Sequence, residues 1–276
     1  MNLYPGLYCI LGGAGLSVCA GVPLATTDLP GLPSIVSHVR RDYYASLRKP
    51  SLNEIELLAW YADQKLLQNP SLIYSDALNL VGDTPRSRQQ YLRRFFDSKT
   101  PGETHVMIGQ LIRDGFLDAV FTTNFDTLLE EGIRNVVGRT VKVAAHSETV
   151  SDVLVTERCP KVIKLHGDYL FSDIKNTEEE TKEITKGMHQ RLRMFLRERG
   201  IIVLGYSGSD NSVMTLFEEM SYEGCFFPYG LYWLHLEASP PNGRVVSFVE
   251  QSKGKLLSIH DATTFLRELA LRCTGP

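Results

Sequence analysis

From Leu117 onward, short apolar segments alternate with amphipathic helical segments, and this alternation leaves few folds open to the chain. DAVFTT and GIIVLG have the composition of buried strands. Helical spacing follows the first of them, with Leu129, Ile133 and Val136 on one face, and residues 188–199 show the same spacing. Strands that alternate with helices of this length favour a parallel sheet covered on both faces. The sequence therefore predicts an α/β fold with a Rossmann-like parallel sheet and helices on both faces.

A helical segment separates the first strand from the rest of this pattern. Residues 7–11 are predicted as a strand that runs into the turn GGAG, and the next strand of this type begins near Leu117. Between them RSRQQYLRRFF is helical in character. Apolar residues also recur at helical spacing before it, at Ile55, Leu58, Ala59, Ala62 and Leu66. We therefore predict one domain over residues 1–276, with a Rossmann-like core at about 1–24 and 115–276 and a helical insertion after the first strand at about 25–114.

Composition excludes several other classes of protein. The net charge of −3 gives no global field that would attract nucleic acid or an anionic membrane. Five cysteines without a C-x-x-C pair argue against a disulfide framework or a zinc site. The N-terminus lacks the basic region of a signal peptide, and no apolar run is long enough to span a bilayer. We expect a cytoplasmic protein that needs no metal and binds neither nucleic acid nor membrane directly.

Four predicted strands end in loops with unusual polar or glycine residues. These loops are GGAGLS (12–17), TTNFD (122–126), KLHGD (164–168) and GYSGSD (205–210). In open α/β sheets, ligands bind in the crevice at the carboxyl ends of the strands. The four loops are therefore expected to lie along one edge of the sheet and to form a ligand site there.

The GGAGLS loop has two interpretations. Its glycines would let the backbone approach a ligand closely, and a helix starting after it would offer N–H groups to a phosphate. Alternatively, it is a tight turn without a ligand. It does not match the G-x-G-x-x-G fingerprint of dinucleotide-binding folds, because Val18 occupies the position of the third glycine.

Polar side chains at the next two loops indicate chemistry. His166 is predicted at a strand tip, where an imidazole can act as a general base, and Asn124 and Asp126 follow a neighbouring strand. Together they would form a plausible site for cleaving a glycosidic bond. The simpler alternatives are a structural histidine and a helix cap formed by Asp126 or Thr127.

In GYSGSD, Ser207, Gly208 and Ser209 offer hydroxyl and backbone donors to a ribose or phosphate. Asp210 would either accept from hydroxyl groups or cap the following helix. No role is predicted for the other histidines, which show no paired ligand spacing: His38, His105, His146, His189, His235 and His260.

The four motifs together resemble those of sirtuins. GAGLSVCAGVP is similar to G-A-G-x-S-x-x-x-G-[IV]-P, TTNFD to T-Q-N-[IF]-D, KLHGD to the sirtuin H-G and GYSGSD to the later glycine-serine loop. The chain departs from protein deacylases in three ways: residues 24–26 replace D-F-R, Thr123 replaces Gln, and the zinc-binding C-x-x-C pairs are missing. The pattern is closer to the sirtuin-like NAD hydrolases of bacterial anti-phage defence, which carry a helical insertion after the first loop.

This resemblance implies roles for individual residues. Asn124 and His166 would be catalytic, and Asp126 would orient the nicotinamide side of the substrate. The remaining predicted NAD-binding residues fall into three groups. They are Gly13, Ala14, Gly15 and Ser17 for the pyrophosphate and adjoining ribose, Ser207 and Gly208 for the adenosine ribose, and Thr123 and Gly205, for which no part of NAD is specified.

The implied function is that of an NAD+ glycohydrolase, which cleaves NAD+ into nicotinamide and ADP-ribose without a metal. In anti-phage defence such a domain depletes cellular NAD, and we expect its activity to be gated by homo-oligomerisation or by a partner such as a ring ATPase or a short Argonaute. The alternatives are an ADP-ribosyltransferase, an NAD-dependent protein deacylase and a nucleotide-sensing module without catalysis.

Overall fold

The computed structural model describes residues 6–26, 34–46, 70–82, 84–145, 149, 153–167 and 186–274. Its strands, in chain order, are β1 (Tyr8–Gly12), β2 (Leu117–Thr122), β3 (Lys142–Ala144), β4 (Lys161–Lys164), β5 (Gly200–Leu204), β6 (Leu231–Leu236) and β7 (Lys255–Ile259). They form one sheet in the order β3-β4-β2-β1-β5-β6-β7, and every neighbouring pair is parallel. The predicted α/β fold with a Rossmann-like parallel sheet is confirmed.

The helices of the described ranges include those predicted after β2, at residues 188–199 and in RSRQQYLRRFF. They are α1 (Ile35–Ser46), α2 (Pro70–Val81), α3 (Pro85–Phe96), α4 (Glu103–Arg113), α5 (Leu128–Val137), α6 (Lys186–Glu198), α7 (Asn211–Glu223), α8 (Gly243–Gln251) and α9 (Ala262–Thr274). None of them combines the length and the apolar character that crossing a bilayer requires.

Helices cover both faces of the sheet, as the alternation of strands and helices predicted. Successive strand side chains point to opposite faces. Leu11 and Phe121 therefore join one buried cluster with α6, α7 and α8. Ile10 and Val120 join a second buried cluster with α4, α5 and α9. The strands are apolar on both sides for this reason, and β1 and β5 are buried along their whole length.

The helices α1, α2 and α3 build a smaller core of their own around Val39, Leu78 and Leu92, which also reaches Leu128 at the start of α5. The helical character predicted for RSRQQYLRRFF is confirmed by α3. The helical spacing predicted between residues 55 and 66 lies outside the described residues. Within the predicted insertion range, α4 packs on the sheet itself through Ile108, while the domain boundaries stay a prediction.

Candidate active site

The four loops follow strands that are neighbours in the sheet, in the order β4, β2, β1 and β5. Gly12 pairs with Thr122 on one side and with Leu204 on the other, and Thr122 pairs with Lys164. Because these strands are parallel and in register, they all end at one edge. The prediction that the four loops share an edge of the sheet is confirmed.

The glycine turn after β1 is bonded to the loop after β5. The N–H of Gly13 donates to Leu204 O at 3.1 Å, and the N–H of Gly15 donates to Gly205 O at 2.9 Å. A Cβ on Gly13 would lie 2.4 Å from Gly205 O, and one on Gly15 would lie 2.7 Å from Gly205 Cα. These contacts require glycine on their own account, so the close approach of two protein loops explains both positions without a ligand.

The expectation that a helix begins directly after GGAG is wrong. Two short 3-10 turns, Ala14–Leu16 and Val18–Ala20, occupy this segment. Gly21 ends the second turn in the left-handed region, at φ 75°, and Pro23 has no N–H with which to continue a helix. The turn therefore cannot offer a phosphate the aligned N–H groups and dipole of an α-helix.

Ser17 lies at the centre of a buried polar network. Its hydroxyl donates to Asp126 Oδ2 at 2.9 Å and accepts from Asn124 Nδ2 at 3.1 Å. All three side chains are almost entirely buried. The loops after β1 and β2 are thus joined through Asn124 and Asp126, two of the three residues that the sequence indicated for catalysis.

A helix cap accounts for only one of the two carboxylate oxygens of Asp126. Its Oδ1 accepts the N–H of Leu128 at 3.1 Å at the start of α5, as the simpler interpretation of TTNFD predicted. Its Oδ2 belongs to Ser17. Thr127 stands at the N-cap position without a side-chain cap bond, so its backbone and the carboxylate of Asp126 together start the helix.

His105 is a further member of this network that the sequence analysis missed. Its Nδ1 accepts the N–H of Gly102 at 3.0 Å, so in the neutral ring Nε2 carries the proton and points to Ser17 Oγ at 3.4 Å. Burial lowers the pKa of His105 below its usual value, although the carboxylate of Asp126 acts in the opposite direction. The signal that could have identified it is its place three residues after Gly102, where a side chain can accept the N-cap N–H.

This lowered pKa predicts a pH-dependent stability. A histidine that is harder to protonate when folded stabilises the protein fully above its unfolded pKa of 6.5, and this contribution is lost as the pH falls toward the folded value. Parental protein should therefore lose free energy of unfolding as the pH falls below 6.5, and His105→Gln should lose less. Urea titrations across this range measure the slope. The exposed His260→Gln variant is the control, and equal slopes in parental and His105→Gln protein would contradict the prediction.

His166 lies as far beyond β4 as Asn124 lies beyond β2, two residues after the paired Lys164 and Thr122. Its ring is 5% exposed, sits 6.5 Å from the ring of Phe125 and pairs through Nε2 with Asp210 Oδ2. Its Nδ1 is buried and has no hydrogen-bond partner among the described residues. The ring is therefore fixed on one side and has an uncommitted nitrogen on the other.

Asp210 caps the following helix, as one of its two interpretations predicted, and it also pairs with His166, which the sequence did not predict. Its Oδ1 caps α7 by accepting from the N–H and the hydroxyl of Ser212, at 2.9 and 2.8 Å, while Oδ2 pairs with His166. Burial raises the pKa of Asp210, but the neighbouring His166 ring and the hydrogen bonds outweigh burial, so the pKa lies below its usual value. The carboxylate is therefore ionised at neutral pH and can only accept hydrogen bonds.

A buried lysine supports the TTNFD loop from below. Lys164 Nζ donates to Asp126 O at 2.6 Å and lies 3.5 Å from Phe125 O. It also forms an ion pair of 2.7 Å with Glu130 in α5, and both side chains are almost completely buried. The buried ammonium group of Lys164 thus fixes the backbone of the loop that carries Asn124 and Asp126.

The remaining predicted binding residues lie at the same edge. The N–H of Thr123 donates to Gly12 O at 3.1 Å. Ser207 is exposed, its hydroxyl is 2.9 Å from that of Ser209, and Gly208 adopts φ 72°. Asp168 of KLHGD lies outside the described residues. Within the described residues, no three His, Cys, Asp or Glu side chains are grouped to hold a metal ion.

Part of the chain that forms this edge matches a known protein family. Residues 118–252, just under half of the chain, match the sequence model of the SIR2-like domain. The matched segment contains Asn124, Asp126, His166 and Asp210. It begins at β2 and ends just after α8, so it covers three of the four loops but not the glycine turn. No curated protein matches the chain in sequence.

Solved structures of Sir2 proteins share the general arrangement at low sequence identity. A Sir2 complex with a deacetylated p53 peptide and 3'-O-acetyl ADP-ribose is 14% identical, with a TM-score of 0.49, over 97% of this chain and 93% of that chain. A Sir2 homologue in complex with NAD is also 14% identical, with a TM-score of 0.43, over 97% of this chain and 89% of that chain. Identities and scores this low say nothing about activity.

Proposed function

We propose that this protein is an NAD+ glycohydrolase that cleaves the bond between nicotinamide and ribose. The observation that carries the proposal is the placement of two buried polar groups after neighbouring strands: the network of Ser17, Asn124 and Asp126, and His166, whose Nδ1 has no hydrogen-bond partner among the described residues. The match of residues 118–252 to the SIR2-like domain supports NAD as the substrate class. NAD+ is consumed in this reaction and is not a resident cofactor.

The substrate would lie across the carboxyl edge of β4, β2, β1 and β5. The N–H groups of Gly13 and Gly15 already donate within the protein, so they would not bind the pyrophosphate directly. Gly13, Ala14 and Gly15 would instead form the surface against which the pyrophosphate lies. Ser17 would hold the catalytic side chains in place. On the other side, Gly205, Ser207 and Gly208 would face the adenosine ribose and Thr123 the nicotinamide half.

Hydrolysis needs little acid catalysis at this bond. Nicotinamide leaves as a neutral amine from a cationic ring, taking the electron pair of the C1'–N bond, and the ribose passes through an oxocarbenium-like state. Asn124 uses Nδ2 to bind Ser17, which leaves its carbonyl oxygen to orient the attacking water. His166 accepts a proton from that water as the C1'–O bond forms, and Asp126 stabilises the positive charge.

The products are nicotinamide, ADP-ribose and a proton. We further propose that the activity depletes cytoplasmic NAD in anti-phage defence, and that homo-oligomerisation or a partner such as a ring ATPase or a short Argonaute gates it. Gating is needed because an always active NAD hydrolase would be toxic to the cell that makes it. A dependence of the specific activity on protein concentration would support gating by assembly.

Incubating the purified chain with NAD+ and separating the products tests the proposal. We expect equal amounts of nicotinamide and free ADP-ribose, and an Asn124→Ala variant should release about 10²-fold less of both, since it loses the positioned water. Nicotinamide release with ADP-ribose attached to protein would instead indicate a transferase. Binding of intact NAD+ without turnover, at every protein concentration and with each of the candidate partners added, would overturn the proposal in favour of a sensor.

A further inference from the structure

The pair of His166 and Asp210 spans the middle of the candidate site. His166 follows β4 and Asp210 follows β5, and β2 and β1 lie between these strands in the sheet. Neighbouring strands are about 4.8 Å apart, so the two strands are separated by roughly 14 Å. For the two side chains to pair, the loops after β4 and β5 must extend across the ends of β2 and β1. These are the strands that lead into Asn124 and the glycine turn.

The chemistry of the pair determines which nitrogen of His166 can accept a proton. An ionised carboxylate only accepts hydrogen bonds, so Nε2 of His166 must carry a proton when it bonds to Asp210. In the neutral ring the lone pair is then on Nδ1. Nδ1 is also the buried nitrogen that has no partner among the described residues.

The helix cap holds Asp210 in the orientation that this pair needs. Oδ1 is fixed by Ser212 and by the N–H of Val213 at 3.4 Å, which leaves Oδ2 to face His166. The first turn of α7 is itself anchored, because Val213 and Met214 are fully buried in the core. The carboxylate therefore has little freedom to turn away from the imidazole.

We propose that Asp210 is a positioning residue that holds His166 in the Nε2–H form, so that Nδ1 is the atom that takes the proton in the reaction. This inference rests on the proposed NAD hydrolysis for its chemical meaning. In other enzymes, too, a carboxylate that accepts a hydrogen bond from one ring nitrogen fixes the tautomer of a catalytic histidine.

The tautomer can be measured without any activity. In protein labelled with ¹⁵N in its histidine rings, long-range ¹H–¹⁵N spectra distinguish a protonated from an unprotonated ring nitrogen. The His166 signals are assigned by their loss in His166→Gln. We expect parental His166, in its neutral form, to carry the proton on Nε2, and Asp210→Asn to lose this preference, because an amide can also donate to the ring.

Asn and Ser are as good as Asp at a helix N-cap, so Asp210→Asn and Asp210→Ser should keep α7 and the melting temperature. Both should lower kcat for nicotinamide release about 10²- to 10⁴-fold with little change in KM, since positioning acts on the chemical step. Asp261→Asn is the matched control. Asp261 accepts from Thr264 N at 2.8 Å at the start of α9, away from His166, and its replacement should leave the tautomer and kcat unchanged.

Three outcomes would overturn the inference: a parental His166 protonated on Nδ1, a tautomer that Asp210→Asn leaves unaltered, or variants with parental kcat. If the parental protein releases no nicotinamide at any protein concentration, alone or with the candidate partners, NAD hydrolysis fails as the function. The tautomer measurement still decides whether Asp210 positions His166, so the two failures are distinguishable.

Discussion

Replacing His166 with alanine should lower nicotinamide release about 10²- to 10⁴-fold, because the proposed mechanism then lacks the group that accepts the proton of the attacking water. This loss corresponds to roughly 3–5 kcal/mol of activation free energy. The ring is buried, and in the proposed mechanism its only role is to accept a proton at Nδ1, so we expect most of the effect in kcat. Initial rates of nicotinamide release, measured at saturating and limiting NAD+, separate kcat from KM.

The exposed His260 provides the control for this experiment, since His260→Ala removes the same side chain at the end of β7. It should keep the parental rate. Because removal of the His166 ring leaves a buried cavity and takes away the partner of Asp210, melting temperatures must accompany the rates. His166→Gln fills more of the space and should be equally slow. A folded His166→Ala protein with the parental rate would show that this imidazole is not the base.

The strands and their common edge could be predicted because the physical signals are local. Each central strand is a short apolar run that ends in glycine or polar residues, and burial on both faces removes any need for polar side chains within the run. β5 shows this most clearly, since Gly200–Leu204 is buried throughout and Gly205 turns the chain at φ 67°. Once the strands are parallel, the position of the loops follows from topology alone.

The partners of the polar side chains could not be predicted in the same way. His166 and Asp210 are 44 residues apart in sequence, and Ser17 and His105 are 88 apart. Neither periodicity nor loop composition states which polar atoms meet when loops fold over the end of a sheet. Single residues were therefore identified correctly as lying at the edge, whereas the tautomer of His166 and the place of His105 needed the structure.

The glycine turn shows how a local signal can have a different cause from the expected one. GGAG had two interpretations, room for a ligand followed by a helix or a tight turn without a ligand. Its glycines instead allow contact with Gly205, and 3-10 turns follow. The same sequence satisfies both physical explanations, because either a ligand or a second backbone passing close by excludes a Cβ.

The strand β4 carries two lysines that a sequence pattern would place in water. Lys161 and Lys164 have fully buried side chains, which is rare for lysine unless it is paired. Lys161 lies 3.5 Å from Asp118 and donates to Cys159 O at 2.8 Å near the amino end of the sheet. Lys164 likewise donates to a backbone carbonyl at the carboxyl end, where the acceptor belongs to the loop that carries Asn124.

Lys164→Met should therefore be the most destabilising of the substitutions considered, lowering the free energy of unfolding by roughly 3–5 kcal/mol. The variant keeps the bulk of the side chain but removes the positive charge that pairs with Glu130 and the donor to Asp126 O. Urea denaturation measures the loss. Lys142→Met is the matched control: its ion pair with Glu157 is 40% and 34% exposed, and such pairs contribute less than about 1 kcal/mol.

A double variant separates the charge from the loop contact. Lys164→Met with Glu130→Gln removes both charges, so it should recover a large part of the lost stability, because an isolated buried charge costs more than a neutral polar group. It cannot restore the donor to Asp126 O, so nicotinamide release should stay low even where the protein is folded. If the double variant were as unstable as Lys164→Met alone, the loop contact rather than the ion pair would dominate the stability. If Lys164→Met were no less stable than Lys142→Met, the buried pair would have no such role.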